Sequence, residues 1–207
     1  MTSKRKTQEQ FIQNLMKHSK NDPDRPCRFT YKEITALLKL FAEFSGGNKQ
    51  RLERTQFRDE LCDRFQITDD FLMDRIFRAF DKGSKGYLRA EDFVCGMSTL
   101  IVGELEDKMK YTFQVYDLNS DGFISREEMF HLLKATLVKQ STEEDPDEGV
   151  KELVETALKK LDMDHDGRVS YNDFRTAVLS ETLMLEFLGQ CLPTEDTRKA
   201  FLSQLRE

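Results

Sequence analysis

Apolar residues recur along most of this chain at spacings of three and four, the period at which one face of an α-helix repeats. The first stripe, Ile34, Leu37, Leu38, Phe41 and Phe44, is answered after a polar break by Phe57 and Leu61. The alternation continues with Leu72, Met73, Ile76, Phe77 and Phe80 before Phe93, Met97 and Leu100, then with Leu105, Met109, Phe113 and Tyr116 before Met129, Phe130, Leu133 and Leu137. A last pair sets Val150, Leu153, Val154, Ala157, Leu158 and Leu161 against Phe174, Ala177 and Val178. This pattern predicts four helix-loop-helix units in an all-α chain. Two more stripes lie at the ends: Phe11, Ile12, Leu15 and Met16 within residues 8–19, and Phe201, Leu202 and Leu205 behind the helix cap Thr194. Each reads equally as a self-docking element or as a partner contact, because any surface helix needs such a stripe merely to pack.

The polar breaks repeat as well. DLNSDGFISREE (Asp117 to Glu128) recurs as DMDHDGRVSYND (Asp162 to Asp173), with weaker copies at DKGSKGYLRAED (Asp81 to Asp92) and SGGNKQRLERTQ (Ser45 to Gln56). Their starts are 36, 36 and 45 residues apart, an internal repeat. In every copy position eight is apolar (Leu52, Leu88, Ile124, Val169) and position thirteen is large and apolar (Phe57, Phe93, Met129, Phe174). Those positions tie each loop to a neighbour through short strand pairing and each exiting helix to the core. Units one and two should therefore pair, as should three and four. The expected organisation is an N-terminal amphipathic helix and linker over 1–29, a first lobe over 30–103, a second over 104–192 and a tail helix over 193–207. The extra length before the fourth unit, Gln140 to Gly149 with Pro146, reads as an acidic linker.

A hard divalent cation needs about six to eight converging oxygens, which a twelve-residue loop supplies from positions 1, 3, 5, 7, 9 and 12 around a Gly at 6. This is the EF-hand loop. The third copy fits throughout: Asp117, Asn119 and Asp121 offer side-chain oxygens, Gly122 the turn, Phe123 its carbonyl, Ser125 its hydroxyl directly or through water, and Glu128 both carboxylate oxygens. Ser125 and Glu128 also read as a capping box, which couples coordination to the start of the next helix. The fourth copy offers Asp162, Asp164, Asp166, the Arg168 carbonyl and Ser170, but closes with Asp173, one methylene shorter than Glu. That shortening favours six-fold coordination, so Ca²⁺ is expected in the third and fourth hands and Mg²⁺ at rest, especially in the fourth. His165 is expected to face solvent. The second copy puts Gly83 and Lys85 at positions 3 and 5, which reads as a packing loop, and the first has no carboxylate at positions 1, 3, 5 or 12.

Composition removes several other classes. The 207 residues are 38% hydrophobic and 34% charged, with sixteen Phe and no Trp, enough for one good-sized domain or two small lobes. The longest uncharged apolar run, Phe93 to Gly103, is too short for a bilayer. The N-terminus lacks a secretory stretch, and Thr2 stands where myristoylation needs Gly, so no membrane association is expected. Residues 1–80 hold 16 Lys and Arg against 12 Asp and Glu, while residues 81–207 hold 16 against 26. Scattered basic residues in an acidic protein argue against nucleic-acid binding. Cys27, Cys62, Cys95 and Cys191 form no C-x-x-C pair and read as reduced thiols packed in or near the core, and His18, His131 and His165 form no triad. Nothing here reads as an enzyme, and a monomer is expected.

The segments MKYTFQVYDLNSDGFISREEMFHLLK (Met109 to Lys134), EEDPDEGVKELVETALKKLDMDHDG (Glu143 to Gly167) and TDDFLMDRIFRAFDK (Thr68 to Lys82) resemble the neuronal calcium sensor family, within it the axonemal sensors of motile cilia and flagella. The resemblance implies a cytoplasmic, cytoskeletal calcium sensor located in the axoneme of cilia or flagella. It also implies a partner in the outer-arm dynein heavy chain, with tubulin as a second candidate, and an influence on dynein-driven motility. The second hand is poorer here than in that pattern. Phe41, Phe44, Phe57, Phe77, Phe80 and Phe93 are the candidate groove for a partner helix. A regulatory subunit of the phosphatase B type and a Ca²⁺/Mg²⁺ buffer are the alternatives.

Overall fold

The computed structural model describes residues 3–22, 26–47, 51–137 and 146–207; Thr2 and positions 140–145 of the expected linker lie outside them. In chain order the elements are α1 (Ser3–Asn21), α2 (Tyr31–Phe44), β1 (Leu52–Glu53), α3 (Arg54–Phe65), α4 (Asp70–Phe80), β2 (Tyr87–Leu88), α5 (Ala90–Val102), α6 (Leu105–Tyr116), β3 (Phe123–Ile124), α7 (Arg126–Leu137), α8 (Pro146–Leu161), β4 (Val169–Ser170), α9 (Tyr171–Ser180), a 3-10 turn (Thr182–Glu186) and α10 (Glu195–Arg206). Residues 146–149, read as linker, are instead the first turn of α8. Pro146 suits that first position because its missing N–H would have no helical partner there.

Strand pairing follows the repeat. Leu52 faces Leu88 in the antiparallel β1–β2 pair, and Ile124 faces Val169 in β3–β4. All four are fully buried, as are Met129 and Phe174, with Phe57 and Phe93 at 1% exposure. The eighth and thirteenth positions thus do what their spacing predicts.

The chain divides into two compact units. The first contains Met1–Gln66, Phe80–Lys108 and Pro193–Glu207, and the second contains Ile67–Ala79 and Met109–Leu192. In the first, Phe41 and Phe44 meet the ring of Phe93, and Phe57 meets Phe80 at 4.9 Å. The α2 helix starts at a capping box made by Thr30 and Glu33. The tail helix α10, capped by Thr194, packs against α2, α3 and α5. Its Phe201 lies 5.3 Å from Phe65, Arg206 pairs with Glu33, and Arg198 donates to the Ile101 carbonyl. Ile12 and Leu15 of α1 are buried as well. In the second unit Phe113 packs on Phe174 and Tyr171, and Leu72, Ile76 and Phe77 give α4 a buried face. This division also breaks after Leu192, but it runs to Lys108 rather than 103, groups residues 67–79, which hold α4 up to Ala79, with the second unit and groups α10 with the first.

Candidate metal centre

The third loop folds around Asp117 through its own backbone. Ser120 and Gly122 adopt left-handed φ of 62° and 89°, which folds the chain around Asp117. Asp117 accepts from the N–H groups of Asp121 at 3.1 Å and Gly122 at 2.9 Å. Asn119 Oδ1 accepts from Asp121 N–H, and Asp121 Oδ1 accepts from Phe123 N–H. Glu128 closes the ring from the first turn of α7. Its Oε1 accepts from the N–H groups of Leu118 and Asn119 at 2.8 and 3.0 Å, and its Oε2 accepts from Ser125 N–H and hydroxyl, both at 2.8 Å. With Glu128 N–H donating to Ser125 Oγ, the capping box is complete.

Asp117 and Glu128 are 7% and 6% exposed. Burial, and then Glu128 alongside it, pushes the Asp117 carboxyl above the usual aspartate range, against the N–H groups of Gly122, Ser120 and Asp121 that hold it down. Two buried carboxylates of one loop that raise each other's cost of ionisation suit a hard divalent cation, which would be held by Asp117, Asn119, Asp121, Phe123, Ser125 and Glu128.

The fourth loop repeats the backbone, with His165 and Gly167 at φ of 60° and 88°. His165 is exposed. Oxygens of Asp162, Asp164 and Asp166 lie within 4.8 Å of one another, the remaining donors being the Arg168 carbonyl and Ser170. Asp173 Oδ2 accepts from Ser170 N–H at 3.0 Å and from its hydroxyl at 2.5 Å. Among the described residues it does not reach back to residues 163 and 164 as Glu128 does to 118 and 119. The missing methylene is visible as a missing bridge.

The family model described as "EF-hand domain pair" matches residues 106–179, the units that carry these two loops. The chain is 46% identical over 206 residues to calaxin of Homo sapiens, covering 97% of this chain and 94% of that protein. It is 49% identical over 181 residues to calaxin of Danio rerio, covering 85% and 86%. The chain belongs to the calaxin family. It is also 33% identical over 151 residues to the type 2 calcineurin B of Rattus norvegicus, covering 72% and 81%. As a calaxin-family protein it is a calcium-binding sensor of EF-hand type and not an enzyme.

The second loop of this calaxin-family chain keeps the backbone while changing the chemistry. Ser84 and Gly86 take left-handed φ of 47° and 78°. Asp81 and Asp92, at positions 1 and 12, are 5% and 4% exposed. Between them lies Lys85, its ammonium 2.7 Å from Asp92 Oδ2 and 4.0 Å from Asp81 Oδ1. A Cβ on Gly83 would meet Lys85 Cε at 3.1 Å and Nζ at 3.3 Å. Glycine at position 3 therefore admits the lysine, which takes the side where a cation would be held. Sequence reasoning saw a wrong charge at position 5 and missed its role as partner, although the Gly83 and Lys85 pair carried that signal. In the first loop Gly46 and Gly47 are left-handed, and residues 48–50 lie outside the description.

The phenylalanines of the expected groove do not form one open surface. Phe41, Phe57, Phe80 and Phe93 are at most 3% exposed in the first unit, Phe44 is half-buried there, and Phe77 belongs to the second. All four cysteines are thiols rather than disulfides; Cys62 is exposed, unlike the packed thiol expected, because it lies on the outer side of α3.

Proposed function

We propose that this chain senses Ca²⁺ through the third loop, with the fourth as its paired and more Mg²⁺-tolerant partner, and regulates outer-arm dynein in the axoneme of cilia or flagella. The observation that carries the reading is the double engagement of Glu128. One oxygen holds the N–H groups at the start of the loop, and the other holds the first turn of α7. Coordination by Glu128 therefore has to alter α7 at the same time. A bound Ca²⁺ would supply two positive charges that neutralise the crowded carboxylates. Asp117, Asn119 and Asp121 fix the position, the Phe123 carbonyl and Ser125 complete the shell, and Glu128 transmits the change. The likeness to calaxins supports the dynein assignment. The buried phenylalanines of the first unit would be reached by a partner helix only after α10 left α2, α3 and α5.

Calorimetric Ca²⁺ titration in physiological Mg²⁺, with a hydrophobic dye in the same sample and pull-down of dynein heavy chain, tests this. Saturation at roughly 10⁻⁷–10⁻⁵ M with a Ca²⁺-dependent change in pull-down is expected, and both should be lost in Glu128→Gln. Capture of a phosphatase catalytic chain instead of dynein would favour the reading as a phosphatase regulator, which the likeness to calcineurin B supports. Ca²⁺ binding that changed neither dye signal nor any partner would leave a buffer.

A further inference from the structure

Arg75 sits on the buried side of α4, one turn from Leu72 and beside Ile76, and is 7% exposed. Among the described residues its hydrogen bonds go to main-chain carbonyls of the segment that ends α6 and opens the third loop. Nε donates to Val115 O at 3.0 Å, Nη1 to Leu118 O at 3.0 Å, and Nη2 to Asp117 O at 2.5 Å and Gln114 O at 3.3 Å. The last carbonyls of a helix have no helical partner and carry its negative dipole end, so a planar cation with five N–H groups is well matched to them.

The contact is more specific than a cap. The peptide group between Asp117 and Leu118 gives its carbonyl to Arg75 and its N–H to Glu128 Oε1 at 2.8 Å. A buried cation on α4 and the closing carboxylate of the third loop thus hold opposite ends of one peptide, and that peptide carries Asp117. Burial, followed by Arg78, lowers the pKa of Arg75, while Asp117 and Glu128 raise it; an arginine remains charged under this balance.

We infer that Arg75 is a positioning residue of the third loop: it fixes the peptide that carries Asp117, so that Ca²⁺ binding by Glu128 and its loop is registered in α4. The inference rests on the third loop binding Ca²⁺ and adds an element outside that hand to its output. A role through charge alone makes the opposite forecast, because a cation near the site repels Ca²⁺ and its removal would tighten binding.

Three variants of the 207-residue chain, Glu128→Gln, Arg75→Met and Arg75→Lys, separate these cases by Ca²⁺ titration, with circular dichroism as the folding control. Loss of the tighter binding step in Glu128→Gln establishes the loop reading first; its retention overturns that reading whatever Arg75 does. Positioning predicts that Met and Lys both weaken binding, by about tenfold, as for other residues that orient metal ligands. Lysine keeps the charge and cannot reach four carbonyls. Tighter binding in Arg75→Met with wild-type binding in Arg75→Lys would overturn the inference and leave the sensor reading intact. Should either variant fail to fold, hydrogen exchange on the wild type decides. Amides of residues 72–79 should exchange several-fold more slowly with Ca²⁺ and show no such change in Glu128→Gln; equal rates in wild type overturn the inference.

Discussion

Lys85→Met tests whether the second loop is held by a tethered cation. The substitution keeps most of the side-chain stem over Gly83 and removes the ammonium. It leaves in place the Arg89 N–H on Asp92 Oδ2 at 3.1 Å and the Gly86 N–H on Asp81 Oδ2 at 2.7 Å, beside a buried Asp81 Oδ1 with no hydrogen bond. Removing one member of a fully buried pair costs about 3–5 kcal/mol, and the 22% exposure of the Lys85 side chain brings this down to about 2 kcal/mol. At roughly 4 °C per kcal/mol for a unit of this size, thermal unfolding of the first unit in chelator should fall by about 8 °C. The added change Asp92→Asn should recover a large part of the loss by removing one of the two facing carboxylates. Millimolar Ca²⁺ should also raise the midpoint of Lys85→Met more than that of wild type. An unchanged midpoint in Lys85→Met would refute the reasoning, since it would mean that Asp81 and Asp92 tolerate each other without the ammonium.

Phe201→Ala should destabilise the first unit by about 3 kcal/mol in urea unfolding, because it deletes the ring against Phe65 and loosens α10. Native alkylation should label exposed Cys62 quickly and spare Cys191, whose thiol is pushed up to about 12 by burial and, next, by Glu186; mass spectrometry of partial digests reads this directly. Burial raises the Glu33 carboxyl, but Thr30 and Arg206 together hold it below its ordinary value of 4.5. A lowered folded pKa stabilises above the unfolded value and is lost as pH falls, so the stability gap between wild type and Glu33→Gln should shrink below pH 4.5, as urea midpoints from pH 7 to 3 would show. Asp173→Glu should let the fourth loop bridge back as Glu128 does, raising its preference for Ca²⁺ over Mg²⁺ in competition calorimetry.

The helices, the Thr194 cap, the Ser125–Glu128 capping box and the loop pairing were legible because their causes are local: a period of three to four, a capping side chain at a helix start, and an apolar residue at the eighth loop position. The candidate ligands of the third and fourth loops were legible for the same reason. The grouping of α4 and α10 was not. Placement of α4 follows from Arg75 and carbonyls 39 to 43 residues away, and no spacing rule announces which backbone groups a buried arginine will meet. A hint existed, since Arg75 falls among Leu72, Met73 and Ile76 on the apolar side, where an unpaired guanidinium would be costly. Placement of α10 likewise depends on Phe65 and Phe201, far apart in sequence, and its stripe fits a plug and a partner contact equally.

The comparison among loops separates shape from charge. Positions 4 and 6 are left-handed at Ser84 and Gly86, at Ser120 and Gly122, and at His165 and Gly167, so the turn does not depend on a full set of ligands. The loops differ in what balances their buried acids. In the first unit Lys85 is covalently attached, and the β1–β2 pair carries a cation at every moment. In the second unit Asp117, Glu128, Asp162 and Asp173 are nearly as buried, and no lysine or arginine side chain ion-pairs with them among the described residues. Under the proposed function, a free cation would supply the balance that Arg75, bound to the carbonyls beside Asp117, does not, which is the physical condition for a response to Ca²⁺ concentration.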